Sequence, residues 1–144
     1  MNHGDSLARV PLQRSMGCLI ASIQIDLSDA VIDRLADDLL GELHRASANG
    51  VIFDLAGVSI MDDSEFGALR RIEKMVFLMG AKTVYSGFKP GVVSALMDLE
   101  ADVSDIAASR NLDEAIALIA SSTQVVEPET PELEDDVEAE ADGE

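Results

Sequence analysis

Apolar positions recur along the chain in two alternating patterns, short β-type runs and longer helical stripes. Residues 10–14 and 18–24 are apolar-rich segments on either side of a short turn at residues 15–17, and they indicate a β-hairpin. Residues 29–45 then carry apolar side chains at three- and four-residue steps, which is typical of an amphipathic helix. Ser28 stands where a helix N-cap is expected. The chain therefore opens with two strands and a helix.

The chain then repeats the order of strand followed by helix. We expect strands at residues 51–55, 82–85 and 103–107, the last a short edge strand, and helices at residues 64–79, 90–97 and 111–121. Strands that alternate with helices after an initial hairpin favour an α/β sandwich. The predicted fold is one mixed sheet of four to five strands with about four α-helices. It occupies one domain, residues 9–121, after a frayed N-terminus at residues 1–8.

The charge of the chain is strongly acidic and unevenly distributed. The formal net charge is −18 at pH 7, and residues 123–144 hold ten of the 28 acidic residues and no Lys or Arg. Such a segment has too few apolar residues to offset its ordering entropy, so residues 122–144 are predicted to form a disordered acidic tail. Nucleic-acid binding needs a basic stripe to neutralise phosphates, and none is visible. We therefore expect no nucleic-acid partner.

Signals for a membrane or an oxidising compartment are missing from the sequence. No apolar stretch approaches the roughly 20 residues that a membrane span needs, and the first residues lack the pattern of a signal peptide. The single cysteine, Cys18, cannot form an internal disulfide, which fits a reducing compartment. The expected protein is soluble, cytoplasmic and not bound to a membrane.

Side chains suited to catalysis or metal binding are few. The two histidines, His3 and His44, are far apart in sequence, and one cysteine cannot build a zinc site, so no metal and no cofactor is indicated. The paired carboxylates Asp62 and Asp63 could divide acid and base roles in a hydrolase, which is the enzyme alternative. We otherwise expect no catalytic residue.

The triplet Asp62, Asp63 and Ser64 lies between a buried strand and an amphipathic helix. The start of a helix has free backbone N–H groups and a positive dipole end, so it suits Asp, Ser or a phosphate that a kinase delivers. Simple capping of the helix also explains these residue types. The triplet alone leaves both interpretations open.

This stretch resembles the signature of STAS domains. Residues 54–64 read DLAGVSIMDDS, which is an Asp after a strand, a short loop, and an Asp before a helix. Residues 86–90, SGFKP, look like the second loop of that family. Residues 17–24 and 78–82 are similar to its RsbS-like stressosome branch. The resemblance covers roughly residues 10–119 and implies the STAS fold.

The resemblance implies a function in binding rather than in catalysis. It implies an anti-sigma-factor antagonist or stressosome scaffold that binds a serine/threonine switch kinase and forms homo- or hetero-oligomers with other STAS-domain proteins. An alternative within the same family is a free partner-switching factor that binds an anti-sigma kinase. The implied partner-binding residues are Asp62, Asp63, Ser64, Phe66, Gly67, Ser86, Gly87 and Lys89.

The site of phosphorylation is where the chain departs from the family pattern. In RsbS-like proteins the phosphorylated hydroxyl directly follows the Asp matched by Asp62, and Asp63 stands there in this chain. Either Asp63 supplies a fixed negative charge with Ser64 as the capping residue, or Ser64 has become the phosphate acceptor. Ser86 matches a second phosphorylatable position, although a turn serine is its simpler interpretation. Arg70, Arg71 and Lys74, on the outer face of the following helix, could pair with an acidic partner or could simply form a solvated face.

Overall fold

The computed structural model describes residues 9–125. Their elements are, in chain order, β1 (Leu12–Ser15), β2 (Cys18–Ser22), α1 (Asp29–Ala46), β3 (Gly50–Asp54), α2 (Asp63–Leu78), β4 (Lys82–Ser86), α3 (Pro90–Asp98), β5 (Ala108–Ser109) and α4 (Leu112–Val125). The predicted α/β class, with one mixed sheet and four helices in the described part of the chain, is confirmed. The predicted N-terminal segment, residues 1–8, lies outside the described residues. The predicted disordered tail, residues 122–144, also lies outside them from residue 126 onwards, but residues 122–125 are helical and that part of the prediction is wrong.

The five strands form one sheet in the order β1-β2-β3-β4-β5. The hairpin pair β1 and β2 is antiparallel, whereas each following pair is parallel. Ser22, Asp54 and Ser86 are aligned by the register of the three central strands. The carboxyl ends of these strands therefore meet at one edge of the sheet, which we call the carboxyl edge. The opposite edge, where Gly50 and Lys82 begin their strands, is the amino edge.

The sheet separates two apolar clusters. Helices α1, α2 and α3 pack on one face, where their buried side chains meet inward positions of the strands such as Leu19, Phe53 and Tyr85. Helix α4 covers the other face and buries Ile52 and Ile119. Successive strand residues point to opposite faces, so the central strands supply apolar side chains to both clusters. This explains why their sequences are continuous apolar runs.

The last two elements differ from the prediction. Strand β5 is Ala108–Ser109 rather than residues 103–107. Val103 and Ile106 instead lie in a loop that packs against the main core, and Asp105 has a left-handed φ of 60° that interrupts extended backbone. Helix α4 reaches Val125, beyond the predicted end at residue 121, because no Gly or Pro follows to stop it there.

Helix α4 packs closely on the sheet at Gly50. A Cβ at this position would lie 2.6 Å from Cδ1 and 2.8 Å from Cγ2 of Ile119. We expect Gly50→Ala to lower the free energy of unfolding by about 1–2 kcal/mol, because the added methyl group overpacks this contact.

Gly41 in α1 is the matched control, since a Cβ there meets nothing within 4 Å. Its replacement by alanine should raise the free energy of unfolding by about 0.5–1 kcal/mol, as alanine is the better helix former. Denaturant titration of the unaltered chain and both variants measures these changes. A Gly50→Ala protein as stable as the unaltered chain would contradict the observed packing of α4.

Candidate functional site

Three loops meet at the carboxyl edge, and backbone hydrogen bonds join the strand ends that carry them. The loops are residues 23–28, 55–62 and 87–89. The N–H of Ile23 donates to the carbonyl of Asp54 at 3.0 Å, and the N–H of Leu55 donates to the carbonyl of Ser86 at 2.8 Å. We call this set of loops, with the first turns of α2, the carboxyl-edge surface.

The start of α2 is fixed by a capping box. Asp62 is the N-cap, and its Oδ1 accepts a hydrogen bond from the N–H of Glu65 at 2.8 Å. The N–H of Asp62 donates in return to Oε1 of Glu65 at 3.1 Å. Each of these two backbone N–H groups is thus hydrogen-bonded to one side-chain carboxylate. The capping residue is therefore Asp62, and the expectation that Ser64 caps the helix is wrong.

Glu65 is the site residue that the sequence analysis missed. Its second carboxylate oxygen, Oε2, accepts from the N–H of Leu27 at 3.4 Å, so one side chain ties the loop after β2 to the start of α2. The spacing of Asp62 and Glu65 is the sequence signal of a capping box and could have identified this residue. The bond to Leu27 has no local signature, because it joins residues 38 positions apart in sequence.

An aromatic cluster supports the surface from below. Phe66 is only 1% exposed and lies 5.5 Å, centroid to centroid, from Tyr85 and 6.2 Å from Phe88. Tyr85 in turn lies 5.4 Å from Phe53. Such pairs add to the apolar burial and hold the rings in defined positions. Phe66 therefore positions α2 from the core, and its burial argues against direct contact with a partner.

The predicted second loop contains one buried residue and one exposed cation. Ser86 is 1% exposed at the end of β4, so its hydroxyl is closed to a kinase in this conformation and burial argues against its role as a phosphate acceptor. Gly87 has a φ of 80°, and a Cβ there would lie 3.2 Å from the backbone nitrogen of Ala56, so a glycine is required. Lys89 is exposed at the N-cap of α3.

Asp63, Ser64 and Gly67 are exposed along the first turns of α2. Asp63 is the first helical residue and Ser64 the second, so both stand at the positive end of the helix dipole. A Cβ on Gly67 would meet nothing within 4 Å, so the packing of the chain itself does not require glycine there. These three predicted site residues share one accessible surface next to the capping box.

Arg70 is not the free surface cation that the helical pattern suggested. Its guanidinium binds Oε1 of Glu73 at 2.9 Å and the carbonyl of Ser104 at 2.8 Å. The hydroxyl of Tyr85 donates to the same Glu73 oxygen at 2.8 Å. Burial and the neighbouring Glu73 carboxylate raise the pKa of Tyr85 above its usual range, so this phenol stays protonated. The network is structural and joins α2 to the sheet.

Two further features limit the chemistry of the described region. Among residues 9–125, no group of three His, Cys, Asp or Glu side chains is arranged to hold a metal ion. No helix in this part of the chain has the length and apolar character to cross a membrane.

The fold and the residues at the start of α2 agree with one protein family. The STAS domain family model matches residues 9–115. The uncharacterized protein YezB of Bacillus subtilis strain 168 is 33% identical over 66 residues, which is 46% of this chain and 67% of YezB. The chain belongs to the STAS domain family, and the resemblance noted in the sequence is confirmed.

Solved structures with the same fold include stressosome proteins. A serine-to-glutamate variant of RsbS from Moorella thermoacetica has a TM-score of 0.68 at 20% identity, covering 80% of this chain and 97% of that protein. A chain from the molecular architecture of the stressosome, a signal integration and transduction hub, has a TM-score of 0.69 at 20% identity, covering 79% and 99% respectively. At these identities the likeness concerns the fold.

The assignment of Asp62 as the N-cap predicts unequal effects for two neighbouring carboxylates. Asp62→Ala should lower the free energy of unfolding by about 1–2 kcal/mol, because the N–H of Glu65 loses its acceptor. Asp63→Ala should change it by no more than about 0.5 kcal/mol, because the exposed Asp63 interacts with the helix dipole alone. Denaturant titration of both variants compares them. A larger loss for Asp63→Ala would contradict the assignment.

Proposed function

We propose that this chain is a non-enzymatic anti-sigma-factor antagonist and stressosome scaffold that binds a serine/threonine switch kinase in the cytoplasm. The observation that carries the proposal is the position of Asp63, an exposed carboxylate at the first residue of α2, directly after the capping Asp62. By resemblance, RsbS-like proteins have their phosphorylated hydroxyl at this position. Asp63 thus gives the chain a permanent negative charge where its relatives acquire one from a kinase.

A fixed carboxylate reproduces only part of a phosphate. Aspartate carries one negative charge, whereas a phosphoserine carries about −1.5 to −2 at pH 7 and offers three acceptor oxygens. The RsbS protein with the same fold carries glutamate in place of a serine, which is a replacement of the same chemical kind. We infer that the kinase binds this chain without transferring phosphate, so that the complex is independent of ATP.

Electrostatics favour Asp63 as a fixed charge over Ser64 as a working acceptor. A phosphate on Ser64 would stand beside the carboxylates of Asp62, Asp63 and Glu65, all within one helical turn. Two unit charges at 4 Å repel by about 1 kcal/mol in water and about 4 kcal/mol near a protein surface. The helix dipole stabilises an anion at this end by about 0.3–1 kcal/mol. Repulsion from several carboxylates therefore outweighs the dipole.

The exposed surface also supports partner binding. Asp63, Ser64, Gly67 and Lys89 are accessible. Glycine inside a helix costs about 1 kcal/mol relative to alanine, and Gly67 has no packing neighbour of its own chain that explains this cost. A partner backbone that approaches α2 closely would explain it. Assembly with other STAS-domain proteins is part of the same proposal and is supported by the shared fold of the stressosome chain.

The free partner-switching factor is the second candidate, and the exposure of Ser64 is the observation that favours it. In that function Ser64 would accept phosphate, and the added repulsion would expel the partner. The hydrolase alternative has less support, because the carboxylate of Asp62 caps the helix through Oδ1, which accepts from the N–H of Glu65.

Measuring phosphate transfer distinguishes the stressosome scaffold from the free partner-switching factor. The unaltered chain, mixed with the switch kinase from the same genome and ATP, should form a complex and keep its intact mass. Asp63→Ser should gain one phosphate on residue 63, because it restores the hydroxyl after Asp62. The control Ser64→Ala removes the alternative acceptor, so its intact mass should stay unchanged in the presence of the kinase and ATP.

Intact-mass spectrometry and site mapping give the result. Phosphate on Ser64 of the unaltered chain would contradict the constitutive scaffold and support the partner-switching factor. The absence of any complex with the kinase would overturn both candidates.

A further inference from the structure

Two isoleucines are exposed on the carboxyl-edge surface. Ile60 is 85% exposed in the loop before α2, and Ile25 is 37% exposed in the loop after β2. The neighbours of Ile60 in the same loop, Val58 and Met61, point into the core and are buried. Removing an isoleucine side chain from water is favourable, and the isolated chain does not gain this stabilisation at Ile60.

The two loops that carry these isoleucines are tied together. The N–H groups of Leu27 and Asp62 donate to the two oxygens of the single Glu65 carboxylate, at 3.4 Å and 3.1 Å. Ile25 and Ile60 each lie two residues before one of these donors. A Cβ added to Gly57 would also lie 3.3 Å from the side chain of Gln24, so the loops touch along their length. Ile25 and Ile60 therefore stand on adjacent loops, and we call them the isoleucine pair.

The loop of Ile60 is fixed at both ends. The N–H of Ala56 donates to Oδ1 of Asp54 at 3.1 Å, and the N–H of Val58 donates to the carbonyl of Leu55 at 3.0 Å. The capping box holds the other end. A fixed loop presents its side chain to a partner without a large ordering cost, which is the property of a binding anchor.

Exposed carboxylates stand close in sequence to both isoleucines. Asp26 follows Ile25, and Asp62 and Asp63 follow Ile60 by two and three residues. A second copy of this chain, docked on the same surface by two-fold symmetry, would bring these carboxylates against their equivalents. Like charges across an interface oppose binding, whereas lysines and arginines on a partner would favour it. The charges therefore select a basic partner surface over a second copy.

We propose that the isoleucine pair is the apolar anchor of the kinase-binding surface, and that it enters an apolar socket bordered by lysines or arginines on the switch kinase. This inference rests on the proposed function and adds the contact that gives the complex its affinity. Buried apolar anchors inside a polar rim carry most of the energy of such interfaces. Asp63 belongs to the rim and contributes charge complementarity.

The test compares two exposed apolar residues at opposite edges of the sheet. Ile60→Asp should weaken kinase binding by about 30-fold or more, because it removes the anchor and adds charge to the socket. Leu78→Asp is the matched control, since Leu78 is 84% exposed at the end of α2, on the amino edge. It should leave the affinity within about 2-fold. Ile60→Met, which keeps an apolar side chain, should retain most of the binding.

Isothermal titration calorimetry with the purified kinase, at two salt concentrations, measures these affinities. Denaturant titration of each variant checks that it folds. Equal binding by Ile60→Asp and Leu78→Asp would overturn the anchor while leaving the proposed function intact. A greater loss of kinase affinity for Leu78→Asp would contradict the anchor and would indicate that the kinase binds at the amino edge. Failure of the unaltered chain to bind the kinase would instead overturn the proposed function, and the anchor with it.

Discussion

The carboxylate of Glu65 joins the start of α2 to the loop after β2. It accepts from the N–H of Asp62 inside the capping box and from the N–H of Leu27 in a loop from another part of the chain. Without it, the start of α2 and the loop after β2 would lose their shared acceptor. Asp63 and Ser64 stand directly after one of these donors, and each member of the isoleucine pair stands two residues before one of them.

The parallel sheet makes that interaction possible. Because β2, β3 and β4 run in the same direction, their carboxyl ends present three loops at one edge, and the aromatic cluster around Phe66 fixes the first turn of α2 over them. The opposite face of the sheet is covered by α4. In open sheets of parallel strands, ligands bind in the crevice outside the carboxyl ends. The core therefore determines where charge and apolar side chains are displayed.

The sequence predicted the elements with strong periodicity, but not the contacts that join distant residues. The apolar spacing of α1 and α2 and the cap at Ser28 are local signals, so these features followed from the sequence, whereas the cap of α2 is Asp62 and not the predicted Ser64. The burial of Ser86 and the binding of Arg70 to the carbonyl of Ser104 depend on tertiary packing. A helical pattern states which residues share a face, but it does not state what covers that face. For the same reason the burial of Phe66, named as a partner-binding residue, did not follow from the sequence.

Hydrogen exchange of the unaltered chain, with and without the switch kinase, tests most directly whether the carboxyl-edge surface recognises that kinase. The account predicts slower amide exchange at residues 55–68 and 87–89 in the complex, with the same slowing whether or not ATP is present. It predicts no change at residues 75–82, which lead to the amino edge. Slowed exchange at residues 75–82 alone, or slowing that disappears when ATP is added, would contradict a constitutive scaffold that binds through the start of α2.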